Sequence, residues 1–491
     1  MNLKNDVLPY QPMLKESINR FFAEYRRGVT DFADFSSIFS RMLHTTPNPP
    51  IQILWFYAAL DFHTSRFRQP SRTISAVKDL FRVLVSCSAT CGSMTRIAAL
   101  APLLFELCRL MLRERELKSE VESLVEAVVG YISILCGNKE VYDDDVAVLE
   151  GDFVDLITVW MVDDCDGDCV KGFFPFVSDR FRKGIEMGCE VGFLAGVVMC
   201  EAFLLKMCLG FEAGISKVEM EEKLLASAVQ TITGFRSFHF LDTLFRMMLE
   251  PVLPVISLLG SENEVLLKDA LYNSVMTMEY SFINPQAGFS LHADILKDFA
   301  ITWLFVAELA VQSAREKGDQ GKTMSYVNAF CRSCMPIQLI NWVTSQRFDG
   351  RKISRPNVST PIALIKWLLV VEEQGLAVFG DETAKHHTKD NFFTSRTECL
   401  LPVIKHFFNK LDKNLFLNSI HEREAVADKL DGDIEMLDNV DTTSFTADDD
   451  AHGSRKRKEG IEDDNKTQIK FMRCQFHENS VRENSIIFRQ Q

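Results

Sequence analysis

The chain has few polar aromatic residues, and it lacks the short motifs that are typical of enzymes. It contains 8 Tyr and 5 Trp against 38 Phe. Phe carries no polar atom, so this usage is typical of packed interiors rather than of wet binding surfaces. We find no HExxH, GxSxG, GxGxxG or kinase signature. We therefore expect neither an enzyme nor a cofactor. The alternative is an enzyme whose site is dispersed along the chain, because catalytic groups assemble from distant positions.

Long hydrophobic runs without charges are also absent. The longest apolar stretch, 193–210, contains Glu201 and Lys206, whereas a membrane span needs roughly 20 apolar residues with few charges. This stretch is predicted to be a buried helix, and no membrane partner is expected. The first residues, MNLKNDVLPYQPMLKES, lack the apolar core and the cleavage site of a secretory signal.

Cysteine usage and charge indicate an intracellular globular body. The 13 Cys are odd in number and scattered, mostly within apolar helical runs, so we expect free, buried thiols in a reducing compartment. Apolar residues make up 47% of the chain and charged residues 25%, which are ordinary values for a folded protein. The net charge of -14 argues against nonspecific binding of the whole chain to nucleic acid or to anionic membranes.

Apolar residues recur at helical spacing through most of the sequence. The first stripe includes Leu14, Ile18 and Phe21. Gly28 ends this helix, and Thr30 is a candidate N-cap for the next one. Six helices are predicted within the first 136 residues. Further helical patterns cover 185–210, 216–233, 237–259, 262–283, 289–316, 322–345, 358–379 and 392–420. We find no run of alternating strands.

These patterns predict an all-α protein. Short polar loops favour antiparallel packing of neighbouring helices, so we expect an array of antiparallel helical hairpins. This array is either a degenerate solenoid of the HEAT or armadillo type or a large bundle. An acidic break separates two predicted helical regions, 1–162 and 163–420, which we expect to be continuous with each other. Residues 421–491 hold 11 Lys and Arg against 17 Asp and Glu, which predicts a disordered, charged C-terminal tail.

Three short patterns resemble ligand sites but fail on their spacing. GDQGKT at 318–323 lacks the first Gly of a phosphate-binding loop, so a turn between two helices is predicted. VDDCDGDCVKGF at 162–173 ends on Phe173, where a calcium loop needs a carboxylate. Cys331 and Cys334 form a lone CxxC without two further zinc ligands nearby, so we expect both to be buried on one helix face.

Three glycines and one histidine predict close helix packing rather than chemistry. Gly188, Gly192 and Gly196 are spaced at four, which lines small residues along one helix face and lets a neighbouring helix approach. His239 lies in the run FRSFHFLDTLF and is expected to be a packed or capped histidine rather than a catalytic base. No metal site is expected.

A run of four cations in the predicted tail is the strongest short signal in the sequence. Its residues are Arg455, Lys456, Arg457 and Lys458. On an extended segment these side chains suit the acidic groove of an import carrier, so we predict a nuclear import signal. The alternative is that these cations only balance charge within an acidic tail. Thr446 precedes the acidic residues 448–450 and is a candidate phosphorylation site, where added phosphate would alter the charge of the tail.

A second group of cations lies in a predicted loop. Its residues are Arg347, Arg351, Lys352 and Arg355. Clustered Arg beside Phe binds phosphates or acidic partner segments, so this loop is a candidate for contact with a partner or with nucleic acid. The alternative is a solvated loop between helices. Absent or salt-insensitive binding of nucleic acid by the purified body would remove the first interpretation.

Stacked amphipathic helices, the missing catalytic motifs and the import-type cluster lead to three hypotheses. The first is a non-catalytic nuclear scaffold or adaptor subunit that binds protein partners in a chromatin, DNA-repair or transcription assembly. The second is a cytoplasmic helical adaptor in transport or complex assembly. The third is an enzyme with a dispersed, motif-less site. The first hypothesis rests on analogy, because a fold does not by itself fix a function.

The import signal gives a direct prediction about localisation. We expect the wild-type protein in the nucleus and a Lys456→Ala, Arg457→Ala double variant displaced towards the cytoplasm, because import carriers bind consecutive cations. Fluorescence microscopy of the tagged chains in living cells measures the ratio between the two compartments. A wild-type protein excluded from the nucleus would contradict the first hypothesis and favour the second.

Overall fold

A computed structural model describes most of the helical part of the chain. It covers residues 10–68, 73–137, 148–149, 153–163, 168–212, 214–280, 293–348 and 351–379. All of these residues belong to a compact unit, Met1–Asp428. A second unit, Lys429–Gln491, lies outside the described residues. So do the predicted helix at 392–420 and the predicted charged tail.

Helices form nearly all of the regular structure in the described part of the chain. The first group consists of α1 Gln11–Arg26, α2 Ala33–Thr45, α3 Ile51–Arg68, α4 Thr73–Cys87, α5 Ser93–Ala98, α6 Ala101–Arg113, a 3-10 helix at Arg115–Leu117, and α7 Lys118–Gly137. The second consists of α8 Phe153–Trp160, α9 Cys169–Phe173, α10 Asp179–Glu186, α11 Val191–Leu209, α12 Lys217–Phe235, α13 Phe238–Met248 and α14 Ile256–Thr277. The last consists of α15 Ala293–Glu316, α16 Gln320–Arg332, α17 Cys334–Ser345 and α18 Pro361–Glu373. The predicted all-α class is confirmed.

Two short antiparallel ladders are the only strand pairings among the described residues. β1 Val148–Leu149 pairs with β2 Cys189–Glu190, and β3 Arg347–Phe348 pairs with β4 Arg351–Lys352. Each ladder is two residues long, so it ties together connections between helices rather than forming a layer of the fold. The finer arrangement as repeated helical hairpins stays a prediction.

The first helices show why the apolar stripe is a reliable signal. Leu14, Ile18 and Phe21 are all buried in α1, as their spacing predicts.

The predicted N-cap at Thr30 is wrong, because α2 begins at Ala33 and no side chain caps it. Phe32 occupies the N-cap position instead, and its ring lies 4.9 Å from the ring of Phe21. The residue before α2 is therefore buried in an aromatic contact and does not provide a capping hydrogen bond from its side chain.

The helix α11 lies at the centre of the body. Of its 19 residues, 17 are buried, so this helix is apolar on all of its faces. It contacts α5, α6 and α7 from the first helical region and α12, α13 and α14 from the second. Within the described ranges, α11 alone has the length and composition of a membrane span, and its burial is that of a core helix.

Two of the three spaced glycines bring α13 against α11, as predicted. A Cβ atom on Gly192 would lie 2.5 Å from Cε1 of His239, and one on Gly196 would lie 2.6 Å from the carbonyl oxygen of His239. The third glycine is a correction, because Gly188 precedes α11. It has a φ of 91° and lies in the turn that leads into β2. Glycine is suited to this position because it tolerates a positive φ, and Gly188 is not part of the helix face that contacts α13.

Several predicted helices are interrupted by local backbone signals. The pattern at 185–210 contains the turn at Gly188, so α10 and α11 are separate helices. The pattern at 322–345 is divided between α16 and α17, because the Ser333 hydroxyl accepts a hydrogen bond from the backbone N–H of Met335 and starts a new helix. Apolar periodicity continues across both breaks, so it did not reveal them.

The prediction of free thiols holds for most described cysteines, whereas the prediction that they are buried holds for only four of the free ones. Nine are free, whereas Cys169 is disulfide-bonded. The remaining cysteines, Cys165, Cys399 and Cys474, lie outside the described residues. Cys169 follows an acidic segment rather than an apolar run, so the apolar surroundings that mark the free thiols do not identify this bond.

Replacement of Gly196 tests the contact between α11 and α13. We expect Gly196→Ala to destabilise the protein by about 1–3 kcal/mol, because the added methyl group meets a backbone carbonyl that cannot move alone. The matched control is Gly130→Ala, which adds a methyl group to the exposed side of α7, where no atom lies within 4 Å. This control should be neutral or stabilising by up to about 1 kcal/mol. Urea unfolding measures both, and equal midpoints for the two variants would contradict the described contact.

Candidate functional site

An open cleft of about 860 Å³ lies between the start of α12 and the first part of α14. On the α12 side, it is lined by Phe211, Glu212, Ile215, Lys217 and Met220. Met220 packs with Leu224 and Ala270 into a small apolar cluster that is separate from the main core, with Phe211 and Ile215 against it. The cleft therefore has an apolar floor of its own.

A break inside α14 shapes the opposite wall. Gly260 has a φ of 74° and a ψ of 165°, which interrupts the helix. The residues that follow line the cleft: Ser261, Glu262, Asn263, Val265 and Leu266. Val265 is 45% exposed, which is a high value for a large apolar side chain. An apolar side chain exposed in an apolar-floored cleft is typical of a binding surface.

Polar contacts fix the connection that forms the α12 side of the cleft. The Lys118 ammonium group, on α7, donates a hydrogen bond to the carbonyl oxygen of Phe211 at 3.0 Å. Lys223 pairs with Glu212 across the start of α12. The hydrogen bond from Lys223 and its positive charge lower the pKa of Glu212. The connection between α11 and α12 is therefore held from two sides.

The wall on the α14 side is braced in a similar way. The buried Glu264 carboxylate accepts a hydrogen bond from the backbone N–H of Leu253 at 3.0 Å. Lys268 donates to the carbonyl oxygens of Glu250 and Pro251 at 2.8 and 3.0 Å. Burial lowers the pKa of Lys268. These contacts join α14 to the connection that precedes it, so both walls of the cleft are preformed.

The predicted basic loop forms the β3–β4 hairpin. The backbone register places Arg347 opposite Lys352 and Phe348 opposite Arg351. Arg355 follows the hairpin and is exposed. The structure therefore brings two of the predicted cations to paired positions of one ladder. The import cluster at 455–458 and the candidate phosphorylation site Thr446 lie outside the described residues.

The segment at 318–323 contains the predicted turn between two helices, α15 and α16, and the first residues of α16. Gly318 has a φ of 72° and follows α15, and Asp319 caps α16 by accepting a hydrogen bond from the backbone N–H of Lys322 at 2.8 Å. The Lys322 side chain pairs with Glu221 of α12 at 2.9 Å. The lysine that a phosphate-binding loop would offer to a nucleotide is thus engaged in packing between helices.

The CxxC pair differs from its prediction. Cys331 is exposed in the last turn of α16, whereas Cys334 is half-buried at the start of α17. The two residues lie in different helices because Ser333 starts α17 between them. Burial raises the pKa of the Cys334 thiol, which disfavours the reactive thiolate. Within the described ranges, no group of three or more His, Cys, Asp or Glu side chains could hold a metal ion.

A buried carboxyl group with a raised pKa lies inside α11. Glu201 is 2% exposed, and one of its oxygens accepts a hydrogen bond from the backbone N–H of Phe176 at 2.9 Å. Burial raises the pKa of Glu201 to about 8, although this hydrogen bond and the charge of Arg182 act in the opposite direction. Glu201 thereby satisfies a buried donor in the connection between α9 and α10. We assign it a structural role.

Comparison with known protein families, with curated proteins and with solved structures finds no match to the chain.

Sequence reasoning did not identify the cleft. It did predict helix breaks before 216 and between 259 and 262, and the structure has breaks in both places. The sequence does not show that these two helix breaks lie beside each other in the fold. Val265 lies between Glu264 and Leu266 in a continuous helical pattern. Apolar residues in such a pattern are expected to be buried, so periodicity alone does not identify Val265 as exposed.

Replacement of Glu201 gives a prediction about pH. The pKa of Glu201 is raised in the folded state, so the carboxyl group of the unfolded chain loses its proton at a lower pH than that of the folded chain. The contribution of Glu201 to the free energy of unfolding therefore falls as the pH rises from about 5 to 8. Glu201→Gln cannot ionise, so we expect its stability relative to wild type to increase over this range by up to about 4 kcal/mol. Urea unfolding at several pH values measures the difference. Glu186→Gln, at an exposed position, controls for the loss of one carboxylate, and a pH-independent difference for Glu201→Gln would contradict the account.

Proposed function

We propose that the protein is a non-catalytic nuclear scaffold or adaptor subunit that binds protein partners in a chromatin, DNA-repair or transcription assembly. The observation that carries this proposal is the preformed cleft between α12 and α14. Its apolar floor and its exposed Val265 suit the docking of a segment from another protein. The assembly itself is proposed from the tail and from analogy with helical proteins.

The helical body supports this proposal through the surface that it provides. Stacked helices connected by short loops present extended surfaces on which partners assemble. We propose that the outer helices are arranged as antiparallel hairpins, with α11 as their common core. Glu201 and the buried thiols of Cys108 and Cys200, whose pKa is raised well above the ordinary value by burial, belong to this core and not to the cleft.

The cations at 455–458 support a nuclear location. We propose that they bind an import carrier, which would be a further protein partner. Membrane binding is not part of the proposal. Contact of the β3–β4 hairpin with nucleic acid is a subsidiary proposal. It is supported by the backbone register, which brings the cationic residues Arg347 and Lys352 to paired positions of one hairpin.

Replacement of Val265 tests the role of the cleft. We expect Val265→Asp to reduce recovery of nuclear partners by at least about tenfold, because a carboxylate in the apolar contact costs more than about 1.4 kcal/mol of binding. Affinity purification of the tagged protein from nuclear and cytoplasmic extracts, followed by quantitative mass spectrometry, measures the recovery.

The matched control is Val370→Asp, on α18. Val370 is 48% exposed, close to the 45% of Val265, so both variants place the same charge on a similarly exposed helix position. The control should retain the partners. Equal recovery with both variants would remove the cleft as a docking site. Recovery of the wild-type protein alone from both extracts would contradict the scaffold function.

A further inference from the structure

We propose that the cleft binds one amphipathic helix of a partner protein and that Lys217 and Glu262 orient this helix through opposite charges. The inference rests on the proposed function and specifies the class of partner. It is carried by the position of a cation on the α12 side and a carboxylate on the α14 side of one apolar-floored cleft.

Lys217 and Glu262 are the charges that the cleft offers to a partner. Glu212 also lines the cleft, but its carboxylate is paired with Lys223. Lys217 and Glu262 are exposed, and neither forms an ion pair with another of the described residues. An exposed cation on the α12 side and an exposed carboxylate on the α14 side complement a segment that carries an anion on one flank and a cation on the other.

The lining favours a helix over an extended strand. Every lining residue belongs to α12, to α14 or to the connection that precedes α12. The cleft lining therefore offers no strand edge to which an extended peptide could add. A bound helix instead inserts apolar side chains at positions i, i+3 or i+4, and i+7 into a groove. Phe211, Ile215 and Met220 form the apolar floor against which these side chains would pack.

The charges decide the direction of the bound helix. Its flank that faces Lys217 should carry Asp or Glu, and its flank that faces Glu262 should carry Lys or Arg. Reversal of the helix in the groove would place like charges together on both sides, which disfavours binding. The apolar floor would supply affinity, and the two rim charges would supply specificity.

The experiment uses the whole protein as bait for a displayed library of amphipathic helical peptides. The peptides carry Leu at the anchor positions and combinations of Lys, Glu and Ala on the two flanks. We expect the wild type to enrich one charge arrangement over its reverse by about tenfold, which corresponds to about 1.4 kcal/mol. The Lys217→Glu, Glu262→Lys double variant should reverse this preference, because it exchanges the charges of the two walls.

Two controls separate this inference from the proposed function. Val265→Asp should abolish enrichment, and Val370→Asp should leave it unchanged, with circular dichroism confirming that all variants are folded. Enrichment without reversal in the charge-exchanged variant would overturn the inference and leave the cleft as a docking site. Enrichment that survives Val265→Asp would remove the cleft as the helix-binding site and overturn the inference, whereas the scaffold function is decided separately by partner recovery from the extracts.

Two further outcomes also contradict the inference. Enrichment of no peptide by the folded wild type would exclude helix binding in the cleft. Self-association of the wild type in sedimentation, abolished by Val265→Asp, would assign the cleft to a second copy of this chain rather than to a helix of a partner.

Discussion

The burial of α11 on all sides is the constraint on which the rest of the structure depends. A helix surrounded by others must present small or apolar side chains in every direction and must pair each polar group that it carries. Gly192 and Gly196 meet the first demand by admitting α13, and Glu201 meets the second by accepting the N–H of Phe176. Because α11 contacts helices from both predicted regions, one hydrophobic core runs through the described helices.

The candidate cleft lies where this central helix ends. Lys206, near the end of α11, pairs with Glu126 of α7 at 2.9 Å, and Lys118 of α7 holds the connection beyond α11. The chain leaves the core there and starts α12 above a separate apolar cluster. The cleft is therefore fixed to the core by charged contacts, while Phe211 and Ile215 remain partly exposed on its floor. This combination of a rigid scaffold and an accessible apolar surface is what a docking site requires.

The sequence predicts the helices far better than it predicts the site. Apolar spacing placed Leu14, Ile18 and Phe21 on the buried face of α1, and it placed breaks beside α12 and within α14. It missed the break at Ser333, since periodicity continues through a capping residue. The cleft depends on two segments more than forty residues apart in sequence, and local patterns carry no information about such proximity. The division into regions 1–162 and 163–420 stays a prediction.

The central claim is that α11 unites the helices before and after it in one cooperative body. Native-state hydrogen exchange, followed by mass spectrometry at increasing denaturant, tests this claim most directly. The account predicts that amides of α11 exchange only through global unfolding and that α5, α7, α12 and α13 share the same opening free energy. Opening of α5 and α7 at a lower denaturant concentration, with α11 still protected, would show two independent units and would contradict the claim.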